Sequence, residues 1–136
     1  MKILTVLCQK GGVGKTTFVV NLGKLLSHKG YKTLLIDTDP QGNVSTYLNF
    51  DKNSKTVLSA TDLFENRLDK EITKVSENLY LIPSNKSIIK HSSEKIIGGS
   101  KLFKHKNLLM EKGFDLVLID TPPTISSLTQ ESLTIS

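Results

Sequence analysis

Near the start of the chain stands Lys10-Gly11-Gly12-Val13-Gly14-Lys15-Thr16-Thr17, a run of residue types suited to holding phosphate. Glycines open backbone conformations closed to other residues, so successive N–H groups can point at one anion. A helix beginning here adds its positive N-terminal end. Lys15 supplies a mobile charge for the outer phosphates, and the Thr16 hydroxyl can ligate Mg²⁺. The run fits the phosphate-loop template G-x-x-x-x-G-K-[ST] only loosely: the first Gly is missing, Gln9 holds its place, and Lys10 stands beside it. That second lysine is either a solvated surface charge or another cation for the nucleotide.

Acids that could complete such a site occur twice. Asp37-Thr38-Asp39-Pro40-Gln41-Gly42-Asn43 follows one apolar run, and Asp120-Thr121-Pro122-Pro123 follows another. A carboxylate at the end of a buried strand can hold Mg²⁺, usually through water, or steer an attacking water. The first stretch also reads as an ordinary turn built from Asp, Pro and Gly.

These residues need elements to position them. Residues 3–8 read as a strand buried on both faces, ending in Cys8 as a small core residue. After the loop, Phe18, Leu22, Leu25 and Leu26 recur at helical spacing, with Gly30 as the stop. Residues 33–36 form the next buried strand, closed by Asp37. Strand, helix and strand make a βαβ unit and hence a parallel pair, with ligands at its carboxyl edge. Further on, 51–55 read as a surface loop. Residues 59–66 read as a short helix capped by Ser59, with Leu63 and Phe64 inward. Residues 67–78 are mostly polar. Residues 79–83 read as a strand, 87–97 as weakly helical, and 101–112 as a helix with Leu102, Phe103, Leu109 and Met110 on one side. Lys101, Lys104, His105 and Lys106 crowd its first turns, as a nucleic-acid face or a solvated one. Residues 114–119 form the strongest late strand, and 127–133 begin another helix.

With 136 residues, the chain suits one domain with a single core. Its longest apolar runs are too short to span a bilayer, and no secretory pattern opens it, which points to the cytoplasm. One cysteine excludes an internal disulfide, and His28, His91 and His105 lack metal-ligand spacing. A net charge of +5 permits contact with nucleic acid or anionic lipid without establishing it.

Lys10 to Thr17 resembles the deviant Walker A motif of the ParA/MinD group of P-loop ATPases. Asp37 to Asn43 resembles the second motif of the ParA (Soj-like) partition branch. Leu116-Val117-Leu118-Ile119-Asp120-Thr121-Pro122-Pro123 is similar to their Walker B strand and turn. The resemblance implies an α/β P-loop NTPase fold, a mostly parallel sheet flanked by helices, truncated after the Walker B strand. Residues 1–136 would be the N-terminal part of a single ATPase domain. It implies ATP and Mg²⁺ as cofactors. Lys15 would bind the β- and γ-phosphates, Thr17 the α-phosphate, and the amides of Gly11, Gly12, Val13 and Gly14 would cradle them. Thr16, Asp37 and Asp120 would serve the metal, and Asp39 the attacking water. Lys10 would reach the partner's ATP in an ATP-dependent homodimer, as a trans cation. A ParB-type partner and non-specific DNA are implied for the full-length, nucleoid-associated form.

Such proteins are nearly twice this length, and the helix-turn-helix domain of some larger members is not expected here. A non-catalytic remnant that hydrolyses ATP weakly or not at all is therefore one alternative. A MinD-like membrane-cycling ATPase is a second, against which Asp37 to Asn43 argues. A P-loop synthetase or kinase for a small metabolite is a third.

Overall fold

The computed structural model describes residues 1–8 and 14–136. Among them, five strands form one sheet: β1 (Lys2–Val6), β2 (Thr33–Asp37), β3 (Thr73–Ser76), β4 (Leu79–Ile82) and β5 (Leu116–Asp120). Their order is β1-β5-β2-β4-β3. All pairs are parallel except β3 with β4. The helices are α1 (Gly14–His28), α2 (Asn43–Tyr47), α3 (Ala60–Phe64), α4 (Lys106–Glu111) and α5 (Ser127–Ile135). This is the expected mostly parallel sheet flanked by helices.

Side chains alternate across a strand, so β2 and β5 feed two cores. Leu34, Ile36, Val117 and Ile119 join Leu63, Phe64, Leu109 and Leu128 on one face. Leu35 and Leu118 meet Val19, Val20 and Val44 on the other. All four positions before the terminal aspartate of β2 are buried. Truncating such a residue to Ala costs about 2–5 kcal/mol.

The first strand differs from its expectation. β1 is an edge strand paired only with β5, and it ends at Val6. α5 covers one of its faces, where Thr5 donates to the Ser132 carbonyl at 2.7 Å. On the other face Leu4 is 47% exposed, and Leu7 and Cys8 beyond the strand are exposed too. Among the described residues, Cys8 therefore lies outside both cores.

α1 keeps half of its expected stripe: Leu22 and Leu26 pack against the core, joined by smaller residues in place of Phe18 and Leu25. Val19, Val20, Gly23 and Ser27 are buried, while Phe18 and Leu25 are exposed. Close approach explains the choice: a Cβ on Gly23 would lie 2.7 Å from Leu35 Cδ2. The chain leaves α1 at the expected stop, where Gly30 donates to the Ser27 carbonyl.

Residues 101–112 do not form one helix. A 3₁₀ turn, Phe103–His105, precedes α4, and Phe103 and Met110 stay exposed while Leu102 and Leu109 are buried. The basic face dissolves as well, because Lys101 pairs with Glu94 and His105 is buried against the Leu63 carbonyl. The 87–97 stretch is reduced to a 3₁₀ turn, Lys86–His91. Within polar 67–78, β3 adds an antiparallel edge whose burial alternates. Lys74, exposed on it, is a common guard of such edges.

Ser59 caps α3 as expected, and it does so reciprocally. Its hydroxyl accepts from the Asp62 amide, and the Asp62 carboxylate accepts from the Ser59 amide at 3.0 Å. Burial pushes the Asp62 carboxyl up, but the Ser59 amide and the Lys70 ammonium outweigh it and leave it lowered. A lowered folded value contributes stability above the unfolded range, lost as pH falls through the folded value. Asp62→Ala should therefore cost about 1–3 kcal/mol in urea unfolding near neutral pH. The deficit should shrink as the pH is lowered through the aspartate range; a pH-independent deficit would contradict this.

Gly42, the N-cap of α2, has φ +63°. A Cβ there would stand 2.7 Å from the Ser84 carbonyl oxygen, just past the end of β4. Gly42→Ala should cost about 1–3 kcal/mol and displace the 38–44 loop, visible as amide shifts on both sides of it. An unchanged unfolding midpoint would contradict this.

Candidate functional site

Parallel register sets the geometry. Val6 of β1 and Asp37 of β2 both pair with Asp120 of β5, so three strand ends meet at one rim. Asp37 and Asp120 face each other across adjacent strands, both with no exposure to solvent. The first turn of α1 reaches the same rim. Lys15 forms an ion pair with Asp120 and donates to the Thr121 carbonyl. Thr16 donates to the other Asp120 oxygen at 2.9 Å.

The turn after β2 wraps around Asp37. Its two carboxylate oxygens accept from the amides of Asp39 (2.9 Å) and Val44 (3.2 Å). Asp39 is also buried, and one of its oxygens accepts from the Gln41 amide at 2.9 Å. Asx turns of this kind fix a carboxylate by its own backbone.

Sequence reasoning missed the two threonines that lock the rim. Thr38 donates from both its amide and its hydroxyl to the Asp120 carbonyl, each at 2.9 Å. Thr121 donates to the Val6 carbonyl at 2.8 Å. Each follows a strand-terminal aspartate, and that position was the available signal.

Burial pushes the Asp37 carboxyl well above the usual range, and the charges of Asp120 and Asp39 add to the rise against the two amides. Burial also raises Asp120, and Lys15 and Thr16 pull it back only part of the way. Asp39 adds to the rise in both, so all three carboxylates share one electrostatic site.

The structure thus brings together Lys15, Thr16, Asp37, Asp39 and Asp120. Gly14 begins α1, exposed, and Thr17 is half-buried in its first turn. Lys10, Gly11, Gly12 and Val13 lie outside the described residues. Among the described residues, no three His, Cys, Asp or Glu side chains converge as a metal cluster. Mg²⁺ fits nonetheless, since it is commonly held by one or two carboxylates, water and substrate phosphate oxygens. Two buried, mutually repelling carboxylates beside a hydroxyl are a donor set that a hard dication would relieve. Among the described residues, no helix is long and apolar enough to cross a membrane.

Comparison with known proteins agrees with this fold. A family model described as an AAA domain matches residues 1–136. The sporulation initiation inhibitor protein Soj of Bacillus subtilis is 35% identical over 139 residues, spanning 99% of this chain and 55% of Soj. A crystal structure of a plasmid partition protein from Borrelia burgdorferi superposes with a TM-score of 0.83 at 31% identity, covering 99% of this chain and 61% of that one. A cobyrinic acid a,c-diamide synthase from Mycobacterium smegmatis, with bound ATP analog and magnesium, superposes at 0.84 with 30% identity, over 100% of this chain and 57% of that one. The chain spans about half the length of the curated relatives it matches. It belongs to the ParA/MinD-type family of P-loop ATPases.

Proposed function

We propose that the chain carries the triphosphate-binding part of a partition ATPase that segregates chromosomal or plasmid DNA. The carrying observation is the in-register pairing of Asp37 with Asp120, with Lys15 and Thr16 both bonded to Asp120. Residues 1–136 are taken as the N-terminal part of one ATPase domain.

In this reading Lys15 exchanges Asp120 for the β- and γ-phosphates, and its ammonium neutralises charge that grows during transfer. The amides of Gly11 to Gly14 cradle the phosphates and Thr17 contacts the innermost one. Mg²⁺, held by Thr16 directly and by Asp37 and Asp120 through water, would supply further charge neutralisation. Asp39 accepts a hydrogen bond from the attacking water and orients it, while its backbone turn keeps the carboxylate in place. Lys10 serves the partner's ATP across a homodimer, so turnover depends on association. ATP-bound dimers bind DNA without sequence preference in the cytoplasm, and a ParB-type protein stimulates hydrolysis.

The Mycobacterium smegmatis likeness favours a second reading, an ATP-dependent synthetase acting on a small metabolite. A substrate-dependent rise in ATP consumption would select it. With ATP present, co-sedimentation with DNA but not with liposomes would select the partition reading over a membrane-cycling one.

Lys15→Ala should weaken Mg–ATP binding by about ten- to a hundredfold in calorimetry, the loss of a charge-assisted contact. Unchanged affinity would overturn the site. Lys10→Ala in the full-length protein should keep ATP affinity and lower stimulated turnover by about a hundredfold or more. Unchanged turnover would reduce Lys10 to a surface lysine.

A further inference from the structure

Beside the carboxylate cluster, on the β4 side of the rim, lies a groove with a volume of about 720 Å³. Cations dominate its lining: Lys52, Lys55, Arg67, Lys70 and Lys86 face a single carboxylate, Asp62. That carboxylate is already engaged by Lys70 and Arg67 and by the α3 cap. The Lys55 and Lys86 side chains are exposed and make no ion pair or hydrogen bond among the described residues. Lys52 donates to the backbone carbonyl of Gln41 at 2.8 Å, which leaves its full charge unopposed. The lining holds serines and asparagines and no aromatic ring. It therefore offers donors for phosphate oxygens and no platform for a base.

We propose that this groove is a second anion site that takes a run of phosphate groups, and that its occupancy is felt by the Asp39 turn through Lys52. The path is short. Lys52 Nζ holds the Gln41 carbonyl, and the Gln41 amide donates to Asp39. The Lys52 stem also lies against Gly42, where Cδ is 2.8 Å from the place a Cβ would occupy. An anion that draws Lys52 away from Gln41 loosens the turn that orients Asp39. Only this regulatory half rests on the catalytic role proposed for Asp39; binding in the groove does not. An oligophosphate and consecutive backbone phosphates of a nucleic acid present the same chemistry.

Amide NMR titrations with inorganic tripolyphosphate, and separately with a short DNA duplex, test the proposal. Lys15→Ala removes the competing phosphate contact, and Lys55→Glu/Lys86→Glu reverses two exposed charges without touching the core. Saturable shifts at 52–55, 67–70 and 85–87 should persist in Lys15→Ala and weaken about tenfold or more in the double variant. Response to tripolyphosphate alone assigns a small phosphorylated ligand; a stronger, salt-sensitive response to the duplex assigns a nucleic-acid backbone. Shifts confined to 14–17, silence toward both probes, or indifference to the double variant would overturn the site. Resonances of 39 and 41 should move with the groove in the parent and stay still in Lys52→Ala. Groove binding without that movement would overturn the coupling. Phosphate binding at Lys15 is read separately at 14–17, so failure of either reading leaves the other identifiable.

Discussion

Two carboxylates that water cannot reach stand opposite each other at the ends of neighbouring parallel strands, and the rest of the rim is arranged around that repulsion. Isolated buried charges are costly, and like charges in contact cost more. Asp37 is offset by backbone amides from its own turn, and Asp120 by a lysine and a threonine from the first turn of α1. A pure stability design would have replaced at least one of them with an apolar residue. Their presence at an electrostatically loaded rim is the pattern expected where function overrides folding.

The sheet order makes this meeting possible. β5 is inserted between β1 and β2, so residues more than a hundred positions apart, Lys15 and Asp120, become direct partners. The two-sided cores of β2 and β5 then fix their register, since a slip of one residue would exchange the buried faces. Gly42 packs the Asp39 turn closely against Ser84, just past the end of β4, which carries the same rim toward the basic groove.

Much of this was legible in the sequence, for identifiable reasons. The glycine-lysine-threonine run, the apolar strands ending in Asp37 and Asp120, and the Ser59 cap are local signals whose meaning does not depend on distant packing. Edge position is not local. β1 reads as apolar as β5 does, yet only the assembled sheet shows that Leu4 and Cys8 are exposed. The inward stripe of α1 was read correctly at Leu22 and Leu26 but not at Phe18 and Leu25, because Gly23, not a large side chain, sets the closest approach to Leu35. β3 was hidden because one face of an edge strand is solvated and its polar residues resemble a loop. The basic groove had no linear trace, since its cations are scattered between positions 52 and 86. The basic run at 101–106, which did look like a charged face, is taken apart by an ion pair and a buried histidine.

The central claim, that Thr16, Asp37 and Asp120 form one cation site, is tested most directly by replacing magnesium with paramagnetic Mn²⁺ in the nucleotide-loaded protein. Amide signals of 16, 37–39 and 120–121 should broaden together at substoichiometric Mn²⁺ and recover when Mg²⁺ is added in excess. Broadening at only one of these segments, or none that Mg²⁺ reverses, would contradict the claim.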